Sequence, residues 1–407
     1  MTTQRKIAPL SRSDVAWLAT SLFLVAQWIA CHALRVPLSP TWEALLPGLG
    51  IFGAAFLLSW GAELAQLEIS QALALAFLAL VAVLPEYAVD MYLAWTAGKD
   101  PAYIQYAAAN MTGSNRLLIG LGWPVVLGCY WFATRKSAIP IRAEERVDLS
   151  TLLLATLYAF LIPLKRTFSL ADTVVLIGLF VVYIVQAGKT HHAEPELEGP
   201  PAHIATWPRS RRRLVTLALF LLPGYTIFIA AKPFADGLLQ SARGWGVEEF
   251  LVIQWLAPLA SESPEFIVAM LYALRRNPQA GFGTLISSKV NQWTLLIGML
   301  PLVYAISAGH VAAMPLDGRQ MEEIFLTASQ SLLAVVMLAN WRFGIREGLL
   351  LLALFTVQLM TPVTWIRVAV AVLYLAIVAG YLVPAASRHA VMNLLVRGWR
   401  SPRRPAS

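Results

Sequence analysis

Stretches of about 20 apolar residues recur along the whole chain, separated by short polar joints, and a run of that length crosses a bilayer as a helix. Twelve spans follow from the pattern: 14–34, 44–66, 70–97, 102–133, 149–165, 171–188, 213–240, 246–275, 280–308, 321–341, 347–361 and 363–384. The fifth and eleventh are short enough to lie tilted or partly embedded. The first follows a basic start, is longer than a signal-peptide core and lacks a convincing cleavage site, so it reads as a retained helix.

Two spans break the apolar rule in the same way. "LPEYAVD" (Leu84 to Asp90) and "SPEFIVA" (Ser263 to Ala269) each set a proline and a glutamate inside an apolar run. Proline removes one backbone donor and frees the carbonyl a turn earlier, and a bound cation can satisfy that oxygen. Burying an ionised carboxylate costs about 2.5–3.5 kcal/mol on insertion scales, so Glu86 and Glu265 need a reason to be there. Asp90 lies four residues after Glu86, and Glu262 three before Glu265, so each pair shares a helix face. One Pro-Glu is as readily a packing feature as a site; two at matching places favour function, with four acids able to point toward one cavity.

The spans that follow carry polar centres. "AAANMTGSNRLLIGLG" contains Asn110, Thr112, Ser114 and Asn115, and "GFGTLISSKVNQWTLLIG" contains Thr284, Ser287, Ser288, Lys289, Asn291 and Gln292. Neutral oxygens beside carboxylates suit hard cations, and the glycines allow helices to approach closely. Without the acids, such patches read as helix-packing contacts.

The halves also repeat. The segments 61–89 and 234–268 share the order span, polar break, span, Pro-Glu, and each continues with a polar-centred return helix and two more spans. A five-helix unit used twice takes opposite orientations, because five is odd, and places a site at the midplane, as in many secondary transporters. The expected fold is therefore an all-α integral membrane protein of about twelve transmembrane helices, two inverted five-helix repeats with one extra helix at each end. The boundaries are 1–43 for the first extra helix, 44–188 and 213–361 for the repeats, 189–212 for a cytoplasmic linker, and 362–407 for the last helix and a basic tail. His191, His192 and His203 of the linker read as a solvated loop, since adjacent histidines on a rigid element cannot face one ion.

Composition agrees. Hydrophobic residues make up 58% of the 407 and charged ones only 13%, against about 25% charged in soluble domains. The net charge of +8 is bunched in loops, which argues against nucleic-acid binding and for a cytoplasmic face that attracts anionic lipid head groups. With the N-terminus inside, that face takes Arg5, Lys6, Arg12, Arg135, Lys136, Arg142, Arg146, the Arg209 to Arg213 cluster, Arg275, Arg276, Arg342, Arg346 and the tail. The opposite face keeps Arg35, Lys99, Lys165, Arg166, Arg243, Arg319 and Arg367. Both termini then fall in the cytoplasm, and a bacterial inner membrane fits. Cys31 and Cys129 lie in apolar runs and read as buried small hydrophobes rather than a disulfide.

"LPE" at Leu84 to Glu86 with "NMTGSN" at Asn110 to Asn115, and "ASESPE" at Ala260 to Glu265 with "GTLISSK" at Gly283 to Lys289, resemble the two alpha repeats of the cation/calcium antiporter superfamily, the sodium/calcium exchanger membrane region. The resemblance implies a secondary antiporter, most simply Ca²⁺ against Na⁺ or H⁺, working by alternating access without a cofactor. It implies Glu86 and Glu265 as paired acidic ligands, with Asp90, Glu262, Asn110, Ser114, Asn115, Ser288 and Asn291 completing or tuning the site. The chain departs from the pattern at Ala82-Val83, Leu118 and Lys289, while Gln292 keeps an amide. Aligning the two "LLIG" segments instead shifts the second motif and brings Asn291 into play.

Three roles are open to Lys289: a counter-ion to Glu262 or Asp90, a stand-in for one transported cation, or a group that neutralises a relic site in a non-transporting protein. A monovalent exchanger such as Na⁺/H⁺ is the alternative transport reading. A membrane enzyme would need metal or nucleophile spacing such as H-x-x-x-H, which is not visible.

Overall fold

The protein is described by a computed structural model covering residues 11–68, 83–190, 197, 199–361 and 363–399. The first part of the third predicted span, Ala82, His191, His192, the N-terminal Arg5 and Lys6 and the tail beyond 399 lie outside the described residues. Among the described residues, nine helical segments are long and apolar enough to cross a membrane. Side chains such as Phe228 (80% exposed) and Leu164 (78%) turn outward, as acyl chains require.

The chain forms two compact units, one from residues up to Val89 together with 192–246, the other from 90–191 together with 247 onward. Each unit draws on both halves of the sequence.

In the first unit, Ser11 and Asp14 form a capping box that starts α1 (Arg12–Ala33). Pro40 opens α2 (Pro40–Ala65), where its missing N–H costs nothing. A short turn of helix, α9 (Pro200–Ile204), precedes α10 (Arg209–Trp245), which ends at Gly246 with φ of 67°. The 37 residues of α10 rise about 56 Å at 1.5 Å each, almost twice the hydrocarbon thickness. The sequence pattern stops this helix at 213–240; the structure extends it because Glu68 grips its basic first turn. Arg212, Arg213 (2.6 Å) and Arg209 (3.4 Å) all pair with that one carboxylate. Hydrogen bonds from Arg212 and Arg213 hold the Glu68 carboxyl down at about 2. Helices α2 and α10 touch at Gly237, where a Cβ would sit 2.5 Å from the Ala44 backbone nitrogen. Val25, Leu57, Leu58, Leu64, Leu219 and Ile227 fill the space between helices.

Helix α3 (Leu84–Ala97) begins in the first unit and continues from Asp90 in the second. The second unit is built on two broken helices. Helix α4 (Ile104–Leu117) runs through a π turn at Leu118–Gly122 into α5 (Trp123–Thr134). Helix α12 (Pro278–Asn291) does the same through a π turn at Gln292–Leu296 into α13 (Ile297–Ala308). Both end on a left-handed cap, Arg135 and Gly309. Aligning the π turns aligns the caps too, so one register relates the halves. It matches Ser114 with Ser288 and Asn115 with Lys289, and it is not the "LLIG" register.

The rest of the unit follows that duplication. After α5 come β1 (Ala138–Pro140), α6 (Arg146–Ala159), α7 (Leu161–Lys165), β2 (Thr167–Phe168) and α8 (Leu170–Thr190). After α11 (Glu249–Leu274), α12 and α13 come β3 (Met314–Pro315), α14 (Gly318–Leu338), β4 (Arg342–Gly344) and α15 (Ile345–Met360). The strands pair across the halves: β1 with β4, with Ile139 opposite Phe343, and β2 with β3, with Phe168 opposite Met314. Exchanging the halves turns one ribbon into the other. Because α6–α7 and α14 each run from one ribbon to the other, equivalent loops lie on opposite faces, and the repeats are inverted.

Three expectations change. The chain ends in two helices, α16 (Thr364–Leu382) and α17 (Ala385–Arg397), rather than one helix and a tail, with Leu394 of α17 buried and Gly398 packed on Ser150. Arg367, counted among the charges of the opposite face at the start of the last span, is 4% exposed within α16 because Glu323 lies beside it. Cys31 and Cys129 are free but only half-buried.

Candidate functional site

In the first unit, Glu86 sits in the first turn of α3 and is 2% exposed. Pro85 belongs to the same turn, a position where a helix tolerates a missing N–H. The part of the predicted span that precedes it lies outside the described residues.

In the second unit, one turn further along α3, Asp90 is fully buried and accepts a hydrogen bond from Asn110 Nδ2 at 2.9 Å. Asp90 Oδ2 and Asn110 Oδ1 are buried with no hydrogen-bond partner among the described residues. Two such oxygens on adjacent side chains ask for a donor or a cation. Gly113 brings α4 against α11, its Cα facing the Gln254 carbonyl with no room for a Cβ. This close approach sets the polar face of α4 beside the helix that carries Glu262 and Glu265.

Glu262 is 2% exposed and Glu265 is half-buried. Ser288 Oγ donates to Glu265 Oε2 at 2.6 Å, so the Pro-Glu helix and the polar helix of this half are joined through predicted site residues. Its counterpart Ser114 behaves differently, donating to Met111 O of its own helix at 3.2 Å. Asn291 is buried on α12. Gln292, the first residue of the π turn, is fully buried, and neither amide atom has a hydrogen-bond partner among the described residues. The π turn interrupts the regular helical spacing there and presents an uncommitted amide oxygen.

Lys289 is fully buried. Its Nζ donates to Asn115 Oδ1 at 2.5 Å and to Asn115 O at 3.3 Å, and it lies 4.3 Å from the Trp293 ring centroid. The ammonium is thus held by the residue that matches it in the other half.

Two further polar clusters escaped the sequence reading. Arg116 (1% exposed) pairs with Glu323, which Arg367 Nη1 also reaches at 3.3 Å; Arg116 Nη1 donates to Gln358 Oε1 at 2.9 Å and its guanidinium lies 5.0 Å from the Trp255 ring centroid. Asp148, also fully buried, accepts from Tyr183 and Ser287, each at 2.8 Å. For Asp148 and Glu323 the available signal was a charge at the margin of a predicted span, which reads as a helix end until its partner is known; Arg116 stands inside the span 102–133, next to Asn115. Among the described residues, no three His, Cys, Asp or Glu side chains gather closely enough to hold a metal ion. A cation here would take amide, hydroxyl or carbonyl oxygens beside the carboxylates.

The chain matches the family described as sodium/calcium exchanger protein over residues 42–188 and 215–364. It is similar to an H⁺/Ca²⁺ exchanger, CAX, with 40% identity and a TM-score of 0.92, covering 96% of this chain and 98% of that one. It shares its fold with the protein YfkE (14% identity, TM-score 0.61, 88% and 99% covered) and with the sodium-calcium exchanger NCX_Mj (18% identity, TM-score 0.52, 86% and 98% covered). No curated protein matches it significantly. The inverted halves, the Pro-Glu helices and the matched residues agree, and the chain belongs to the sodium/calcium exchanger family.

Proposed function

We propose that the protein is a secondary antiporter that exchanges Ca²⁺ for H⁺ across the membrane by alternating access. The observation that carries this reading is the 40% identity, over 96% of the chain, to an H⁺/Ca²⁺ exchanger. The resemblance of the two Pro-Glu motifs to the family's gives Glu86 and Glu265 the role of cation ligands. Two carboxylate charges are neutralised by one Ca²⁺ or by two protons alike, so alternate neutralisation by either couples the two flows. Ser288 orients the Glu265 carboxylate through its hydrogen bond. Asp90, Asn110 and Gln292 each offer a buried oxygen that lacks a donor among the described residues, a costly arrangement in a low-dielectric interior unless a cation or its water uses it. Glu262, Asn115 and Asn291 are buried on the same helices and tune the local field, and Ser114 contributes its hydroxyl after rotating away from Met111.

The β1–β4 ribbon brings the basic loops around Arg135–Arg146 and Arg342–Arg346 to one face, which supports placing that face in the cytoplasm.

Purified protein in vesicles with an acidic lumen is expected to accumulate Ca²⁺ until a protonophore collapses the gradient. Absence of uptake under a pH gradient, alongside uptake driven by Na⁺, would overturn the coupling. Absence under both would overturn the transport reading.

A further inference from the structure

Lys289 and Asn115 occupy one position of the duplicated register, three residues before each π turn. Their side chains meet, with Lys289 Nζ 2.5 Å from Asn115 Oδ1. The amide is fixed in the orientation that makes this favourable: its Nδ2 donates to Met111 O at 2.7 Å, which leaves the carbonyl oxygen facing the ammonium. A reversed amide would set two donors against each other. The Asn115 backbone oxygen (3.3 Å) and the Trp293 ring face (4.3 Å to the centroid) also face the ammonium, and Asn115, Lys289 and Trp293 are each at most 1% exposed. Two carbonyl oxygens and an aromatic face are ligands for a monovalent cation, whether an ammonium or an alkali ion.

We propose that the Lys289 ammonium is a tethered cation that permanently fills a monovalent subsite at the Asn115 oxygens, and that it makes this exchanger indifferent to Na⁺. A covalently attached charge cannot leave, so the Asn115 oxygens take no part in ion turnover. The transported charge is then confined to the carboxylates. Removing the ammonium while keeping Asn115 opens the subsite to a free alkali ion. This deepens the proposed Ca²⁺/H⁺ exchange and rests on it for the consequence in transport, but the subsite itself is tested by binding alone.

The test is thermal unfolding of the full chain in detergent, in NaCl against choline chloride at equal ionic strength, for wild type, Lys289→Asn, Lys289→Met and Lys289→Arg. A ligand that binds only the folded state raises its melting temperature in proportion to the logarithm of concentration over affinity. Lys289→Asn restores the amide found at the matched position, and both it and Lys289→Met are expected to gain saturable Na⁺ stabilisation, while wild type and Lys289→Arg show none. Reconstituted Lys289→Asn is further expected to show Ca²⁺ uptake that an opposing Na⁺ gradient changes by roughly tenfold, against no change in wild type. Folded Lys289→Asn and Lys289→Met that melt identically in Na⁺ and choline overturn the proposal, and so does wild type that Na⁺ stabilises. Should Lys289→Asn not fold, Lys289→Met alone decides. Failure of wild type to transport Ca²⁺ counts against the proposed function and leaves the Na⁺ comparison readable.

Discussion

Arg116 and Lys289 are both fully buried cations, at neighbouring positions of the register that relates the two halves, and different groups hold them. Arg116 ends on a carboxylate that Arg367 shares, with an amide and an indole closing the remaining sides. Lys289 ends on the neutral oxygens of Asn115 and the face of Trp293. A planar guanidinium on a carboxylate is a rigid, directional joint. A compact ammonium on neutral oxygens has the ligand chemistry of a bound ion. The first arrangement reads as scaffold, and the second bears on the ion-handling role proposed for Lys289.

The comparison can be broken most severely by removing each charge. Arg116→Met takes from buried Glu323 one of its two cations and leaves Arg367 shared between Glu322 and Glu323, and it is expected to cost about 3–5 kcal/mol of stability, with Ca²⁺ affinity unchanged in whatever protein folds. Lys289→Met strips a donor from two oxygens and is expected to cost only about 1–2 kcal/mol while changing ion dependence. Equal destabilisation in denaturant unfolding, without an ionic phenotype for Lys289, would erase the distinction.

Gly113→Ala tests whether the close approach of α4 and α11 positions both cations. The added methyl must displace the Gln254 carbonyl, at an expected cost of about 1–3 kcal/mol seen in thermal unfolding. Ser288→Ala, beside Lys289, removes the donor to Glu265 and is expected to weaken Ca²⁺ binding several-fold, equivalent to about 1 kcal/mol, in calorimetric titration.

The smallest effect is expected at Glu68, where three arginines meet a carboxylate at the protein surface. Its pKa is depressed to about 2 from 4.5, so its contribution is complete above the unfolded value and lost as pH falls through the folded one. The stability difference between wild type and Glu68→Gln should stay at or below about 1 kcal/mol at neutral pH and shrink below about pH 4.5. A difference as large as that for Arg116→Met would mean that burial is not what separates the clusters.

Much of the architecture was legible because lipid demands long apolar helices, and because Pro-Glu pairs in such runs need a reason. The inverted duplication was legible from helix parity, and the paired ribbons exchange under it. The register was not. Two "LLIG" strings offer an alignment that the π turns refuse, since a π turn inserts a residue that leaves no mark in composition. Arg367 was counted with the charges of the opposite face because a charge near the start of an apolar span resembles a helix end, and Glu323 lies on a helix distant in sequence. Gln292 was noted as a retained amide but not placed among the ligands; what distinguishes it is that its buried amide lacks a partner among the described residues, which only coordinates reveal.

The central claim is that buried carboxylates trade Ca²⁺ for protons. It is tested most directly by recording Ca²⁺ entry and luminal pH together in vesicles that carry either wild type or Glu265→Gln. The account predicts that Ca²⁺ added outside enters wild-type vesicles and raises the luminal pH, and that Glu265→Gln, though folded, does neither. Ca²⁺ entry with no change in luminal pH, or a Glu265→Gln variant that exchanges as wild type does, would contradict it.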